Sequence, residues 1–283
     1  MKLISFCQRL KKAFRYATYI YRDGGYSSVG VSFPNYGSIL SGKKILITGG
    51  SSGIGLAIAK KCATCGADVL ITGRNPLKLE NAVLEVGKEH CKSLVWDLSD
   101  VSTLDSKLDE SISLLGDISV LINNAGIPPT KFWGNVDEEE WDKVYSTNLK
   151  GLYFLTQAIV KRWEKSPCPD YRKIINISSQ GGFVGATYPY RMVKWDIRGL
   201  TQGLGKALIK NRIVVNGIAP GVVKTSMQAF SMEQGDNLYT NQNPIFRVIL
   251  PEEIAELALF LISDASNAIV GQTIVCDGGY TLK

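Results

Sequence analysis

The apolar run Lys44-Ile45-Leu46-Ile47 leads directly into Thr48-Gly49-Gly50-Ser51-Ser52-Gly53-Ile54-Gly55, and Leu56 to Ala63 follow with an apolar stripe at helical spacing. A buried parallel strand, a glycine-rich turn and a helix in that order form the context of a dinucleotide-binding unit. Gly49 permits a tight turn, Gly53 lets the main chain approach a pyrophosphate, and Gly55 lets the helix pack on the strand. The helix N-terminus offers its free N–H groups to phosphate oxygens. The spacing is G-x-x-x-G-x-G rather than G-x-G-x-x-G, and glycine-rich turns also occur without a ligand. The rest of the chain therefore has to carry part of the argument.

From residue 43 onward, short apolar runs alternate with amphipathic stretches. The pattern predicts strands at 44–48, 68–72, 93–96, 118–122, 173–178, 212–218 and 272–276, and helices at 53–65, 76–88, 100–115, 137–164, 188–210 and 251–263. Such alternation implies an α/β fold, a doubly wound parallel sheet of Rossmann-like form covered on both faces. With 283 residues and no internal repeat, one domain over residues 42–283 is expected, preceded by an arm and connector at 1–41.

Charge is unevenly placed. The chain has 32 Lys+Arg and 26 Asp+Glu, and residues 1–22 hold six basic residues and no acid, which leaves 26 of each sign in the body. A neutral body argues against nucleic-acid binding. In the arm, Leu3, Phe6, Cys7, Leu10, Phe14, Ala17 and Tyr21 repeat at helical spacing. Three readings stand: an interfacial helix giving peripheral membrane contact through residues 1–22, a segment docked on its own domain or a neighbouring subunit, and an organellar targeting peptide. No apolar run approaches the length of a membrane span and no hydrophobic signal-peptide core is present. The six cysteines form no disulfide framework, which suits a reducing, cytoplasmic compartment. Cys62 and Cys65 make a C-x-x-C inside the first helix without a second pair, so core packing is expected and no metal site. The single histidine, His90, is expected on the surface near a helix end.

Strand ends are where ligands bind in this architecture. The second strand ends at Gly73-Arg74, where an acid would receive the ribose 2′-hydroxyl of NAD; Arg74 suits a 2′-phosphate instead, or is an exposed loop arginine. Asp97, after the third strand, is placed to hydrogen-bond an adenine. Asn123-Asn124-Ala125-Gly126 closes the fourth strand, and its amides suit either a ligand or the bracing of neighbouring turns. On the helix at 188–210, Tyr190 and Lys194 lie four apart on one face. A lysine ammonium and a nicotinamide cation beside a phenol lower its pKa from the reference near ~10, which would let it exchange a proton near neutrality. Taken alone, the pair is also common on ordinary helices.

These motifs together resemble the short-chain dehydrogenase/reductase family, in its short single-domain branch, over about residues 42–283. The resemblance rests on Thr48-Gly49-x-x-x-Gly53-x-Gly55, Asn123-Asn124-Ala125-Gly126, Asn148 in Thr147-Asn148-Leu149, Ser179 after Asn176-Ile177-Ser178, Tyr190-x-x-x-Lys194, Pro220-Gly221 with Thr225, and Asp277-Gly278-Gly279. It implies a catalytic tetrad. Ser179 orients the carbonyl, Tyr190 gives or takes the proton, Lys194 binds the nicotinamide ribose and tunes the tyrosine, and Asn148 holds a relay water; Ser178 is the alternative serine. The cofactor set it implies is Gly49, Ser51, Ser52, Gly53, Ile54, Gly55, Arg74, Asp97, Asn124, Ala125, Gly126, Tyr190, Lys194, Pro220, Gly221, Val223 and Thr225. NADP(H) is favoured over NAD(H). A homodimer or homotetramer is expected, pairing through the helices at 137–164 and 188–210.

The implied activity is an NADP(H)-dependent oxidoreductase on a small carbonyl/alcohol substrate. Alternatives are a 3-oxoacyl thioester reductase, a cofactor-binding protein without turnover, and a membrane-surface module. The second of these would be marked by loss of Ser179, Tyr190 or Lys194, and all three are present. Two departures stand out. The loop from Ser179 to Tyr190 is slightly short, and Arg191 and Trp195 replace small residues beside the pair, either as interface packing or as shapers of the substrate pocket. Residues 226–247, with Met227, Phe230, Met232, Leu238, Tyr239 and Phe246, are expected to form a lid over the reacting centre.

Overall fold

A computed structural model of the chain describes residues 10, 11, 13–15, 17, 18, 35–225 and 238–282. The arm readings for residues 1–22 fall mostly outside these residues, as do Met227, Phe230 and Met232 of the expected lid.

Seven parallel strands form one sheet in the order β3-β2-β1-β4-β5-β6-β7. They are β1 Lys44–Thr48, β2 Asp68–Gly73, β3 Cys91–Val95, β4 Val120–Asn123, β5 Arg172–Ile177, β6 Ile213–Pro220 and β7 Thr273–Cys276. The helices are α1 Gly53–Thr64, α2 Pro76–Val86, α3 Leu104–Leu115, α4 Glu138–Tyr145, α5 Gly151–Lys165, α6 Pro189–Leu208 and α7 Pro251–Ile262.

The central strands are buried along their whole length, as expected of a parallel sheet with helices on both faces. Side chains alternate between the two faces. On one, Ile45, Ile47, Val69, Ile71 and Ile122 meet α1 and α7 through Ile58 and Ile254. On the other, Leu46, Leu70, Leu121 and Ile174 meet α3 and α5 through Leu108 and Ile159. Burying each such side chain stabilises the fold by about 1.5–3 kcal/mol. Cys62 and Cys65 belong to the first of these cores, are unpaired, and have their thiol pKa values raised by burial, as the core-packing reading requires. Among the described residues no group of His, Cys, Asp and Glu could hold a metal. No helix among them is long and apolar enough to cross a membrane.

Three details refine the expectation. The helix expected at 137–164 is interrupted by a π turn at Ser146–Lys150, which separates α4 from α5. A π turn inserts a residue into the i to i−4 ladder, and apolar periodicity does not register one extra residue. His90 is exposed as expected, but it leads into β3, with Nδ1 3.4 Å from Asp68 Oδ1. Leu238 and Tyr239 are buried, and Arg247, bridged to Tyr239, pairs with Glu253 of α7 at 2.7 Å, so the described end of the expected lid is anchored to the body.

Lys173 is the largest wholly buried side chain among the described residues. Its Nζ donates to Ser266 Oγ at 3.3 Å and to Asn267 Oδ1. Burial pulls its pKa down from 10.5 to about 8, although Asp264 opposes the shift. The unfolded chain then binds the proton more strongly between about pH 8 and 10.5, so this group makes stability rise with pH across that window. Urea denaturation should show the wild type gaining stability relative to Lys173→Met as pH rises through it; parallel pH curves would contradict the assignment.

Candidate active site

The strand order reverses between β1 and β4, and the crevice beyond their C-terminal ends is the ligand site of such sheets. Thr48, at the end of β1, is wholly buried, and its Oγ1 accepts the main-chain N–H groups of Asn124 and Ala125 at 3.0 Å each. Asn124 Nδ2 returns bonds to the carbonyls of Thr48 and Gly49 at 3.0 and 2.9 Å. The turns after the two strands are thus fastened together. A Cβ on Gly49 would lie 2.8 Å from Ala125 Cα, and Gly49 has φ +66°. A Cβ on Gly55 would lie 2.5 Å from both Asn124 Nδ2 and the Gly49 carbonyl. Both positions need glycine on steric grounds.

The N-terminus of α1 is open. Ser52 makes no side-chain cap, and the first turn holds no acid. Its orphan N–H groups, at the positive end of the helix dipole, fit a pyrophosphate. Gly53, with φ +55°, faces Thr225, whose Cγ2 would be 3.1 Å from a Cβ there. Ser51 Oγ lies 3.3 Å from where a Gly73 Cβ would stand, and Arg74 is exposed at the end of β2. Asp97 Oδ1 accepts from Ser99 N and Ser99 Oγ at 3.0 and 2.7 Å, closing its own turn at the end of β3. Gly221 abuts the C-terminal turn, a Cβ on it lying 2.7 Å from Asp277 Cα. Asp277 holds that turn by accepting from Gly279 N and Thr281 N, both at 2.8 Å. Val223 is buried and bridged to Ile249. The residues expected to hold a dinucleotide therefore gather at the C-terminal ends of the strands, and the turns around them fit the group.

Ser179, Tyr190 and Lys194 come together where β5 passes into α6. Lys194 Nζ donates to the Ile177 carbonyl at 3.0 Å and stands 5.5 Å from the Tyr190 ring centre. Burial pushes the Tyr190 phenol up to about 12, while a side-chain hydrogen bond with Ser179 pulls it back. Burial also lowers Lys194 to about 8. In the protein alone, desolvation therefore raises the phenol and drives the ammonium towards neutrality, while the lowering expected from lysine and nicotinamide together belongs to the cofactor-bound state. Of the two serines, Ser178 is buried and spends its hydroxyl on the Lys194 carbonyl at 2.8 Å, whereas Ser179 Oγ accepts from Gly181 N at 3.1 Å and meets Tyr190.

Asn148 sits in the π turn, wholly buried. Its Oδ1 accepts from Ile127 N at 2.7 Å, and its Nδ2 donates to the Ile127 carbonyl at 3.2 Å. That pair ties the chain beyond Asn124-Ala125-Gly126 to the long helix. Arg191 and Trp195 also make a contact that neither expectation named: both donate to carbonyls of the loop that begins at Ser179.

Sequence reasoning missed several supports. Thr48 was noted within a motif but not as a clamp, and a threonine at a strand end signals little by itself. Glu140 is buried, and its carboxylate accepts from Thr130 N and Oγ1 at 2.7 and 2.6 Å, fixing the loop after β4. In the run Glu138-Glu139-Glu140, nothing marks the third as turned inward. Asn123 and Asn176 sit opposite each other on β4 and β5 and bond at 2.9 Å; Asn123 also reaches Thr156 and Asn176 reaches Thr201.

Residues 49–281 match the family model described as enoyl-(acyl carrier protein) reductase. The chain is 33% identical over 245 residues to a 3-oxoacyl-(acyl-carrier-protein) reductase of Aquifex aeolicus, covering 85% of this chain and 98% of that one. It is 33% identical over 251 residues to an NADP-dependent (R)-specific alcohol dehydrogenase of Lentilactobacillus kefiri, covering 86% of this chain and 98% of the other. Among solved structures, an actinorhodin polyketide ketoreductase with NADPH superposes with a TM-score of 0.77 at 28% identity, covering 87% of this chain and 100% of its own. With that sheet, that crevice and relatives matched along nearly their whole length, the chain belongs to the short-chain dehydrogenase/reductase family and is an oxidoreductase of carbonyl and alcohol groups.

Proposed function

We propose that the protein uses NADP(H) to interconvert a carbonyl and an alcohol, with Tyr190 as the proton donor and acceptor. The observation that carries this reading is the meeting of half-buried Ser179 and Tyr190 with buried Lys194 beside a crevice whose turns fit a dinucleotide. The bound nicotinamide would supply or receive the hydride. In reduction, the Tyr190 O–H donates its proton to the carbonyl oxygen as negative charge develops there. The Ser179 hydroxyl holds that oxygen in line and hydrogen-bonds the phenol. Lys194, when protonated, favours the phenolate that remains. Asn148 keeps one amide N–H and one lone pair beyond its two bonds to Ile127, enough to hold a water on the proton route to Lys194.

Two consequences are measurable. Tyr190→Phe should lower turnover by about 10²–10⁴-fold and leave NADPH affinity nearly unchanged. Carbonyl reduction by the wild type should decline as pH rises through about 8, where Lys194 loses its proton. An NADPH-consumption screen over carbonyl classes supplies the substrate for both measurements. Wild-type turnover by Tyr190→Phe would overturn the assignment.

NADP(H) is proposed over NAD(H) because Gly73 leaves no acid at the end of β2, while Arg74 and Ser51 stand there. The NADP-dependent alcohol dehydrogenase and the ketoreductase with NADPH support that reading. Charge-assisted hydrogen bonds to a 2′-phosphate contribute about 1.5–3 kcal/mol, so NADPH should bind roughly tenfold or more tightly than NADH. Fluorescence titration should show the preference in the wild type and its loss in Arg74→Ala; equal affinities in the wild type would refute it.

The acceptor for a second copy is proposed to be the groove of about 990 Å³ between the α4–α5 run and α6. Tyr145, Leu149, Tyr153, Trp195 and Leu200 line it, with Lys150 and Asp196 at the same surface. Charges of both signs beside apolar rings suit a self-complementary contact. Light scattering at micromolar concentration should give a dimer or tetramer mass, and a monomer would contradict the proposal.

A further inference from the structure

The segment 179–188 joins β5 to α6, carries Ser179 at its start, and has only a short 3-10 turn at Gln180–Phe183 to hold its shape. Arg191, Trp195 and Arg198 fall at i, i+4 and i+7 on α6, which puts them on one helical face. Each donates to a different carbonyl of that segment. Arg191 Nη1 reaches Gly185 O at 3.1 Å, Trp195 Nε1 reaches Val184 O at 2.8 Å, and Arg198 Nη1 reaches Gly182 O at 3.4 Å. In the opposite sense, Ser178 Oγ donates to the Lys194 carbonyl at 2.8 Å.

The stacking is continuous with the bonding. The Arg198 guanidinium lies 4.1 Å from the Phe183 ring centre and 5.2 Å from that of Trp195, and the Arg191 guanidinium lies 5.3 Å from that of Tyr188. Gly182 packs so closely on α6 that a Cβ there would lie 2.5 Å from the Lys194 carbonyl. The strand end with Ser179 and the helix with Tyr190 and Lys194 are thereby fastened to each other by side chains, not by the covalent link alone.

We propose that Trp195, with Arg191 and Arg198, forms a clasp that positions the Ser179 hydroxyl against the Tyr190 phenol. The inference rests on the proposed roles of Ser179 and Tyr190. These three are positioning residues, since none of them is assigned to touch the reacting atoms. Trp195 is central because its ring both bonds Val184 and stacks under Arg198. Reaction rates are steep in geometry: a misplacement of ~1 Å costs about 10²-fold. The Ser179 bond also holds the phenol pKa down, so a loosened Ser179 lets it rise.

Trp195→Phe keeps the aromatic bulk and removes only the N–H. Its expected behaviour is a kcat lowered about 10- to 100-fold with a smaller change in KM. NADPH affinity should stay as in the wild type, and the alkaline limb of kcat set by loss of the Tyr190 proton, distinct from the Lys194 decline, should move upward. A residue that merely filled space would lower the melting temperature without moving that limb. Arg191→Lys retains a donor and should act like the wild type, whereas Arg191→Met should behave like Trp195→Phe. Unchanged kcat and pH limb in Trp195→Phe, alongside an inactive Tyr190→Phe, would overturn the clasp. An active Tyr190→Phe would overturn the functional assignment instead. Should Trp195→Phe fail to fold, the Arg191 pair decides by the same criterion: equal kcat and pH limb in the Lys and Met variants overturns the proposal.

Discussion

The paired ends of β1 and β4 are held by Thr48, whose buried hydroxyl accepts two main-chain N–H groups from the neighbouring turn while Asn124 Nδ2 donates back to the Thr48 and Gly49 carbonyls. At this point the sheet reverses its winding direction, so the two chains must part and leave their end groups without ladder partners. Buried main-chain groups left unsatisfied cost about 1–3 kcal/mol each. The Thr48–Asn124 exchange satisfies them without filling the crevice. It also explains the glycines: with Asn124 pulled against the first turn, a Cβ at Gly49 or Gly55 has nowhere to go. The open crevice and the open N-terminus of α1 both follow from that close approach.

Burial sets the chemistry on the other side of the crevice. Tyr190 and Lys194 are displaced in opposite directions, the phenol upward and the ammonium downward, because desolvation disfavours the charged form of each. In the protein alone, the pair is therefore closer to neutral phenol and neutral amine than two exposed side chains would be. Proton exchange depends on the groups that pull the other way, of which Ser179 is already in place. On the proposed roles of Ser179 and Tyr190, the position of a single hydroxyl then matters, and the bonds between α6 and the 179–188 segment gain a consequence beyond packing.

The apolar runs and their spacing were enough to write down the layered α/β fold, since a parallel sheet covered on both faces requires nearly continuous hydrophobic strands and little else produces them. The glycine turn and the i, i+4 pair Tyr190/Lys194 were legible for the same reason: they are local patterns whose geometry follows from one turn and one helix. The arm at residues 1–22 showed its charge asymmetry equally plainly, because composition needs no fold to be counted.

What the sequence left undecided depends on contacts between distant segments. Ser178 and Ser179 are chemically alike and adjacent; the family resemblance favours Ser179, and the packing of α6, which takes the Ser178 hydroxyl for the Lys194 carbonyl, supplies the physical reason. The π turn at Asn148 is invisible to periodicity, yet it sets that amide against Ile127, some 21 residues away. Glu140 resembles its two acidic neighbours until the loop at Thr130 folds over it. Arg191 and Trp195 were readable as departures, but their target lies on a segment whose path the sequence does not encode locally. The chain by itself determined the sheet, the glycine turn and the motifs that carry the family resemblance, because these follow from local periodicity and residue order. The tertiary structure decided which hydroxyl meets Tyr190, how far burial moves each pKa, and what braces them, because hydrogen bonding and desolvation depend on neighbours brought together only by folding.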